Sequence, residues 1–190
     1  MANKDRDAKQ KGTKLQNIAT LLSIIPGLGQ IYNRRYLKGI LLFVIAVSFL
    51  ITFWEFIDIG IWGIFTLGTI PRDHHSIQLL IQGLMSLIVL SFGIAIYAYN
   101  FIDARKDAKA RALGKPNPTL GQGVRDFYNN GFPYFLILPG LLMLLFIVVL
   151  PLVFMVALAF TDYNQYNAPP RNLLSWVGVQ NFIDLVQIDI

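Results

Sequence analysis

Cysteine is absent from the 190 residues. Disulfides, thiol catalysis and cysteine-based metal sites are therefore excluded, while the compartment stays open. Charge is also scarce: Asp, Glu, Lys and Arg make up 14% of the chain, against about 25% in a typical soluble domain. The charges present are clustered, so long stretches carry none. No G-x-x-x-x-G-K-[ST] phosphate cradle occurs, and no Ser-His-Asp set or zinc-binding helix is visible. No catalytic residue, cofactor site or metal site emerges, and an enzyme reading has little to stand on. A signal peptide is not indicated either. Met1 to Lys14 holds five Lys/Arg and two Asp, and the apolar stretch that follows has Pro26-Gly27 and no A-x-A cleavage pattern. That segment is expected to be retained.

Apolar residues are plentiful: 55% of the chain is hydrophobic, with a mean hydropathy of +0.53. Residues 1–17 read as a polar, mobile cytoplasmic arm. Ile18 to Ile31 is apolar but covers about half of the roughly 20 residues a spanning helix needs. Pro26-Gly27-Leu28-Gly29 breaks it, so it reads as an interfacial or re-entrant segment. Asn33 to Lys38 then supplies basic residues at a membrane boundary. The first span is expected over Gly39–Asp58, and Ile59 to Ile70 either extends that helix or folds back. Residues 71–75 read as a loop. The second span is expected over Ile77–Phe101, with no charge between Ser76 and Ile102. A polar loop with Asp103, Arg105, Lys106, Asp107, Lys109, Arg111 and Lys115 follows, broken at Lys115–Pro118 and Gly121–Gly123. Phe127 to Phe132 is an aromatic approach to the third span, Pro133–Phe160, whose Pro139 and Pro151 a membrane helix tolerates.

Basic residues orient the spans. Residues 1–38 hold eight Lys/Arg and 102–132 hold six, whereas 59–76 and 161–190 hold one each. With three crossings, fourteen of the sixteen fall on one side, and basic loops stay cytoplasmic. This gives an N-in chain whose 161–190 tail is outside. The net charge of +5 is thus a matter of topology and anionic lipid, with no nucleic-acid partner implied.

Several constellations carry two readings each. Glu55 and Asp58 share a helix face. They either form an intramembrane cation or proton site, since acids there are expensive, or end the first helix at the outer interface, which the span length favours. Asp73, His74 and His75 lack further ligands at useful spacing, so a solvated loop is favoured over a metal site. Ser91, Ala95 and Ala98 line one face of the second helix and suit close helix approach, either to a partner subunit or among these helices. The basic loop 105–115 lacks a phosphate cradle and is explained by topology and lipid attraction. In the tail, Thr161 or Asp162 is placed to satisfy local backbone groups, and Trp176 to Phe182 reads as an interfacial belt with a short surface helix.

That tail also carries a resemblance. The proline-bearing helix with Pro139 and Pro151, "LAFTDYN" at 158–164, the Pro-Pro stretch and "WVGVQNF" at 176–182 resemble the start of the core of sugar permease subunits of binding-protein-dependent ABC importers. The chain looks like the N-terminal part of a maltose/maltodextrin-type permease of the Gram-positive kind, and "PGLGQIYNRRYLKG" at 26–39 is similar to the extension of such proteins. The resemblance implies one subunit of an ATP-driven sugar importer. It would act with a second permease subunit, cytoplasmic ABC ATPase subunits that hydrolyse the ATP, and an extracellular sugar-binding protein. No EAA-type ATPase-docking loop occurs, so the substrate-contacting and coupling residues are expected beyond Ile190, in a longer native chain.

The expected architecture is an all-α integral membrane protein of the plasma membrane with three transmembrane helices. Residues 1–38 are an arm and interfacial segment, 39–132 a two-helix membrane extension with a cytoplasmic loop, and 133–190 the first core helix and the start of the extracytoplasmic region. The alternative is a small self-contained membrane anchor or assembly protein without a transport path.

Overall fold

The computed structural model describes residues 2–114, 121–122, 125, 128–129 and 131–187, with side chains from Gly12 onward. The helices are α1 (Ala2–Leu22), α2 (Leu28–Tyr32), α3 (Tyr36–Thr66), α4 (Ser76–Ala112), α5 (Phe132–Leu144), α6 (Leu150–Leu158) and α7 (Gln180–Gln187), with a π-helical turn at Leu145–Val149 joining α5 to α6. Among the described residues there is no strand, only isolated bridges pairing Pro71 with His74 and Thr161 with Trp176. Three stretches are long and apolar enough to cross a membrane: Tyr36–Thr66, Ser76–Ala112 and Phe132–Leu158. The chain is an all-α integral membrane protein.

Three expectations need correction. The stretch 1–17, read as a mobile arm, is helical from Ala2. Helix α3 runs through Asp58 to Thr66, which bears out the extending alternative for Ile59 onward and means that Glu55 and Asp58 do not end the helix. Residues 103–112, read as loop, continue α4. The breaks expected at Lys115–Pro118 and Gly121–Gly123, and the aromatic approach starting at Phe127, lie wholly or partly outside the described residues.

The chain forms two compact units, one from Met1–Phe53 with Ser91–Gly131 and the other from Trp54–Leu90 with Phe132–Ile190. In the first, the chain reverses at Pro26-Gly27, where Gly27 has φ 86°. A β-carbon there would stand 2.1 Å from the Gly39 carbonyl oxygen, so backbone meets backbone and no side chain fits. Helix α2 ends with Arg34 in the left-handed region, φ 65°. The Arg35 N–H reaches back to the Gln30 carbonyl and the Arg34 N–H to that of Ile31, each at 2.9 Å. This is the Schellman pattern, with arginine where glycine is usual.

In the second unit, α3 and α4 run antiparallel at close range. A β-carbon on Gly60 would meet Ser86 at 1.9 Å, and one on Gly83 would meet Ile64 at 2.5 Å and the Gly60 carbonyl at 2.8 Å. Small residues allow such approach where lipid offers no hydrophobic drive between helices. The Ser86 hydroxyl uses the gap to donate to the Phe56 carbonyl, 2.9 Å. Past Thr66 the chain turns through Leu67 (φ 53°) and Gly68 (φ 99°). His74 Nδ1 accepts from the Thr69 and Ile70 N–H groups at 3.0 and 3.2 Å, fixing the loop.

Leu67, Leu80 and Leu174 make a buried cluster, with Ile64, Ile77, Phe154, Ala157 and Leu158 packed on it. The tail is tied to it by polar contacts. The Leu174 N–H donates to the Ser76 hydroxyl, 2.9 Å, and Trp176 Nε1 to the Ile64 carbonyl, 2.9 Å. Asp162 accepts from the Ser175 N–H, 2.8 Å. The π-turn ends at Val149, two residues before Pro151, whose ring and missing N–H disturb the preceding turn.

Candidate functional site

Helix α4 has 37 residues, about 55 Å of helix, while the hydrocarbon core is about 30 Å thick. Its charge-free part suffices to cross, so the charged end from Asp103 onward lies outside the crossing. On that end Asn100, Asp103, Ala104, Asp107 and Ala108 are all buried. They recur at helical spacing and form one face. What covers this face is the segment from Ser23 to Lys38.

The contacts are dense and polar. Asn100 Oδ1 accepts from the Gly27 N–H, 3.0 Å, and Asn100 Nδ2 donates to the Ser23 carbonyl, 2.8 Å, so one amide brackets the chain reversal. Gln30 Nε2 donates to the Asn100 carbonyl and to Asp103 Oδ2, both at 3.1 Å. Asn33 Nδ2 donates to the Ala104 carbonyl, 2.9 Å. Lys38 pairs with Asp103 and Arg35 with Asp107, 2.9 Å. Arg111 donates to the Tyr32 carbonyl, 2.7 Å, with its guanidinium 5.5 Å above the Tyr32 ring. Tyr97 donates to the Ile24 carbonyl, 2.7 Å.

Burial raises the Asp107 carboxyl to about 6, helped by the Asp103 charge and opposed by Lys38 and Arg35. Desolvation thus outweighs two nearby cations, as buried ion pairs often show. The cluster fixes register: the polar groups of 26–39 that it uses meet α4 only at successive turns of one face, from Asn100 to Arg111. It presents no nucleophile beside a base and no open acid–base pair. What it can do chemically is clamp the N-terminal segment against the end of a crossing helix.

The residues singled out from sequence fall elsewhere. Glu55 and Asp58 are exposed inside α3, and Asp73 is exposed. His74 is spent on backbone N–H groups. No group of three or more His, Cys, Asp or Glu suited to a metal occurs among the described residues. Ser91, Ala95 and Ala98 are exposed, and the neighbouring Gly93 is the residue that touches Phe49. Arg105, Lys106 and Lys109 are exposed on the side of α4 opposite its buried face. Sequence reasoning missed Gln30, Asn33 and Asn100. Their signal was the run Asn100, Asp103, Ala104, Asp107, Ala108, which keeps helical period into what read as a loop.

No family model matches the chain, and no solved structure matches it. Curated proteins do. The galactooligosaccharides transport system permease protein GanP of Bacillus subtilis is 43% identical over 176 residues, 92% of this chain and 42% of that protein. The maltodextrin transport system permease protein MdxF of the same species is 37% identical over 174 residues, 91% of this chain and 40% of its own length. The maltodextrin transport system permease protein MalC of Streptococcus pneumoniae is 38% identical over 168 residues, covering 88% and 39%. The chain spans about two-fifths of the length of these relatives. Over nine-tenths of its own length, then, this membrane chain is related by sequence to the permease proteins of bacterial sugar transport systems.

Proposed function

We propose that the chain is the N-terminal part of a transmembrane permease subunit of an ATP-driven importer for oligosaccharides of the maltodextrin or galacto-oligosaccharide class. The observation that carries this is the 37–43% identity, over about nine-tenths of the chain, to permease proteins of oligosaccharide systems. Three helices able to cross a membrane agree with it. The self-contained anchor has no comparable support.

In this reading the N-terminus is cytoplasmic in the plasma membrane and 161–190 is outside. Residues 1–38 and 39–132 form a membrane extension, and 133–190 open the permease core. The partners are a second permease subunit, cytoplasmic ATPase subunits that carry out the hydrolysis, and an extracellular sugar-binding protein. The Ser23–Lys38 clamp would hold the extension's two long helices to a fixed register at their basic ends.

Two measurements test it. The full-length permease, isolated in mild detergent, is expected to bring with it an ATPase of the ABC type and a second multi-span subunit. Isolation as a lone polypeptide with intact folding would favour the anchor. Reporter fusions after His75 and Asn167 are expected to read outside, and one after Lys115 inside. An inside signal after Asn167 would overturn the three-crossing topology.

A further inference from the structure

Helix α7 sorts its residues by angle. At about 100° per residue, Phe182, Ile183, Leu185 and Val186, with Val179 just before the helix, fall on one arc, and Gln180, Asn181, Asp184 and Gln187 on the other. Every residue of the apolar arc is exposed, Val186 by 86% and Leu185 by 68%. Val179, Phe182, Ile183 and Val186 line a shallow groove along the helix, with Gln187 at its edge.

The helix is fastened at one level. Asn181 Nδ2 donates to the carbonyls of Ala159 and Thr161, both at 2.8 Å, where the third apolar helix has just ended. Phe182 packs on Phe160 with ring centroids 5.3 Å apart. An eight-residue helix has little stability of its own, so these contacts set its position, at the boundary where the crossing gives way to polar chain. The third crossing ends at Leu158, so Asn181 and Phe182 hold the apolar arc of α7 at the level where an apolar crossing stops.

We propose that α7 is an interfacial helix lying in the plane of the bilayer surface. Its Val179, Phe182, Ile183 and Val186 face enters the acyl chains of the leaflet at the end of α6, and its Gln180, Asp184 and Gln187 face lies in water. Asn181 couples this float to the last carbonyls of the crossing, so α7 sets how deep Phe132–Leu158 sits. Trp176, 41% exposed, is a second anchor of the kind enriched at such boundaries. The proposal rests on the crossing by Phe132–Leu158 and not on the sugar-permease reading.

The test uses the full-length protein, with whatever subunits accompany it on isolation, in lipid nanodiscs, with any cysteine elsewhere replaced by serine. Nitroxide labels are placed one at a time through Ile183→Cys, Val186→Cys, Asp184→Cys and Gln187→Cys. Oxygen partitions into the bilayer, whereas a nickel chelate stays in water. Labels at 183 and 186 are expected to favour oxygen several-fold over the chelate, with the reverse at 184 and 187. Equal chelate access at all four positions would put the apolar face in water and overturn the proposal. Exclusion of both reagents at 183 and 186 would equally overturn it, showing the face covered by protein.

Discussion

Asn100→Leu is expected to release the Ser23–Lys38 segment from α4 while leaving α4 across the membrane. Asn100 is 1% exposed, and its amide is the sole side chain that both accepts from Gly27 and donates to Ser23 among the contacts described above. Leucine has similar bulk but neither function. The Gly27 N–H and the Ser23 carbonyl would then be buried without partners, at about 1–3 kcal/mol each. The gain from the apolar side chain offsets part of this, leaving a local loss of about 3 kcal/mol. At 1.4 kcal/mol per factor of ten, amide exchange over residues 23–33 should speed up about a hundredfold. Exchange over residues 80–95 should stay near the native rate. Unchanged exchange at 23–33 would mean that the remaining contacts, the ion pairs of Arg35 and Lys38 with the hydrogen bonds of Gln30, Asn33, Tyr97 and Arg111, hold the segment without Asn100.

Gly83→Leu should do most damage in the other unit. The smallest added side chain already meets Ile64 at 2.5 Å and the Gly60 carbonyl at 2.8 Å. Those obstacles are backbone and a branched β-carbon, which cannot swing aside as the end of a long side chain could. The helices must part, and the Ser86 to Phe56 hydrogen bond parts with them. Overpacking of this kind costs about 3 kcal/mol at the upper end of its usual range. Trp54, Trp62 and Trp176 all belong to this unit, so their fluorescence during unfolding by sodium dodecyl sulfate in mixed micelles reports on it. Native protein should resist longest, Gly83→Ala less and Gly83→Leu least. Equal resistance in all three would contradict the close approach.

The crossings were legible because length and the absence of charge are local properties. The first two expected spans fall within long apolar helices, and the third, Pro133–Phe160, overruns its stretch Phe132–Leu158 by two residues. The end of the first span was not legible. Glu55 and Asp58 look like a terminus in a hydropathy profile, yet α3 continues because Gly60 and Gly63 pack against Leu79, Gly83 and Ser86. Gly60 and Gly63 stand beside Asp58, but the residues they pack on lie some sixteen to twenty-six positions away, so the local sequence alone does not show it. The polar clamp was hidden in the same way. Gln30, Asn33, Arg35 and Lys38 read as boundary residues because their partners lie about seventy positions further on. Asp103 and Asp107 read as loop because their burial depends on those partners. The tail at 158–182 was recognisable as a permease resemblance, although its amphipathic helix is a matter of angle, which the aromatic pattern alone did not express.

Inward passage of oligosaccharides is the activity proposed for the full polypeptide. Uptake of radiolabelled maltodextrin and galacto-oligosaccharide by cells from which this subunit has been deleted tests it most directly. Entry of at least one of them is expected to fall to background, to return when the full-length subunit is restored, and to stop when cellular ATP is depleted. Undiminished entry of both sugars in the deleted cells, with no other importer for them present, would contradict it.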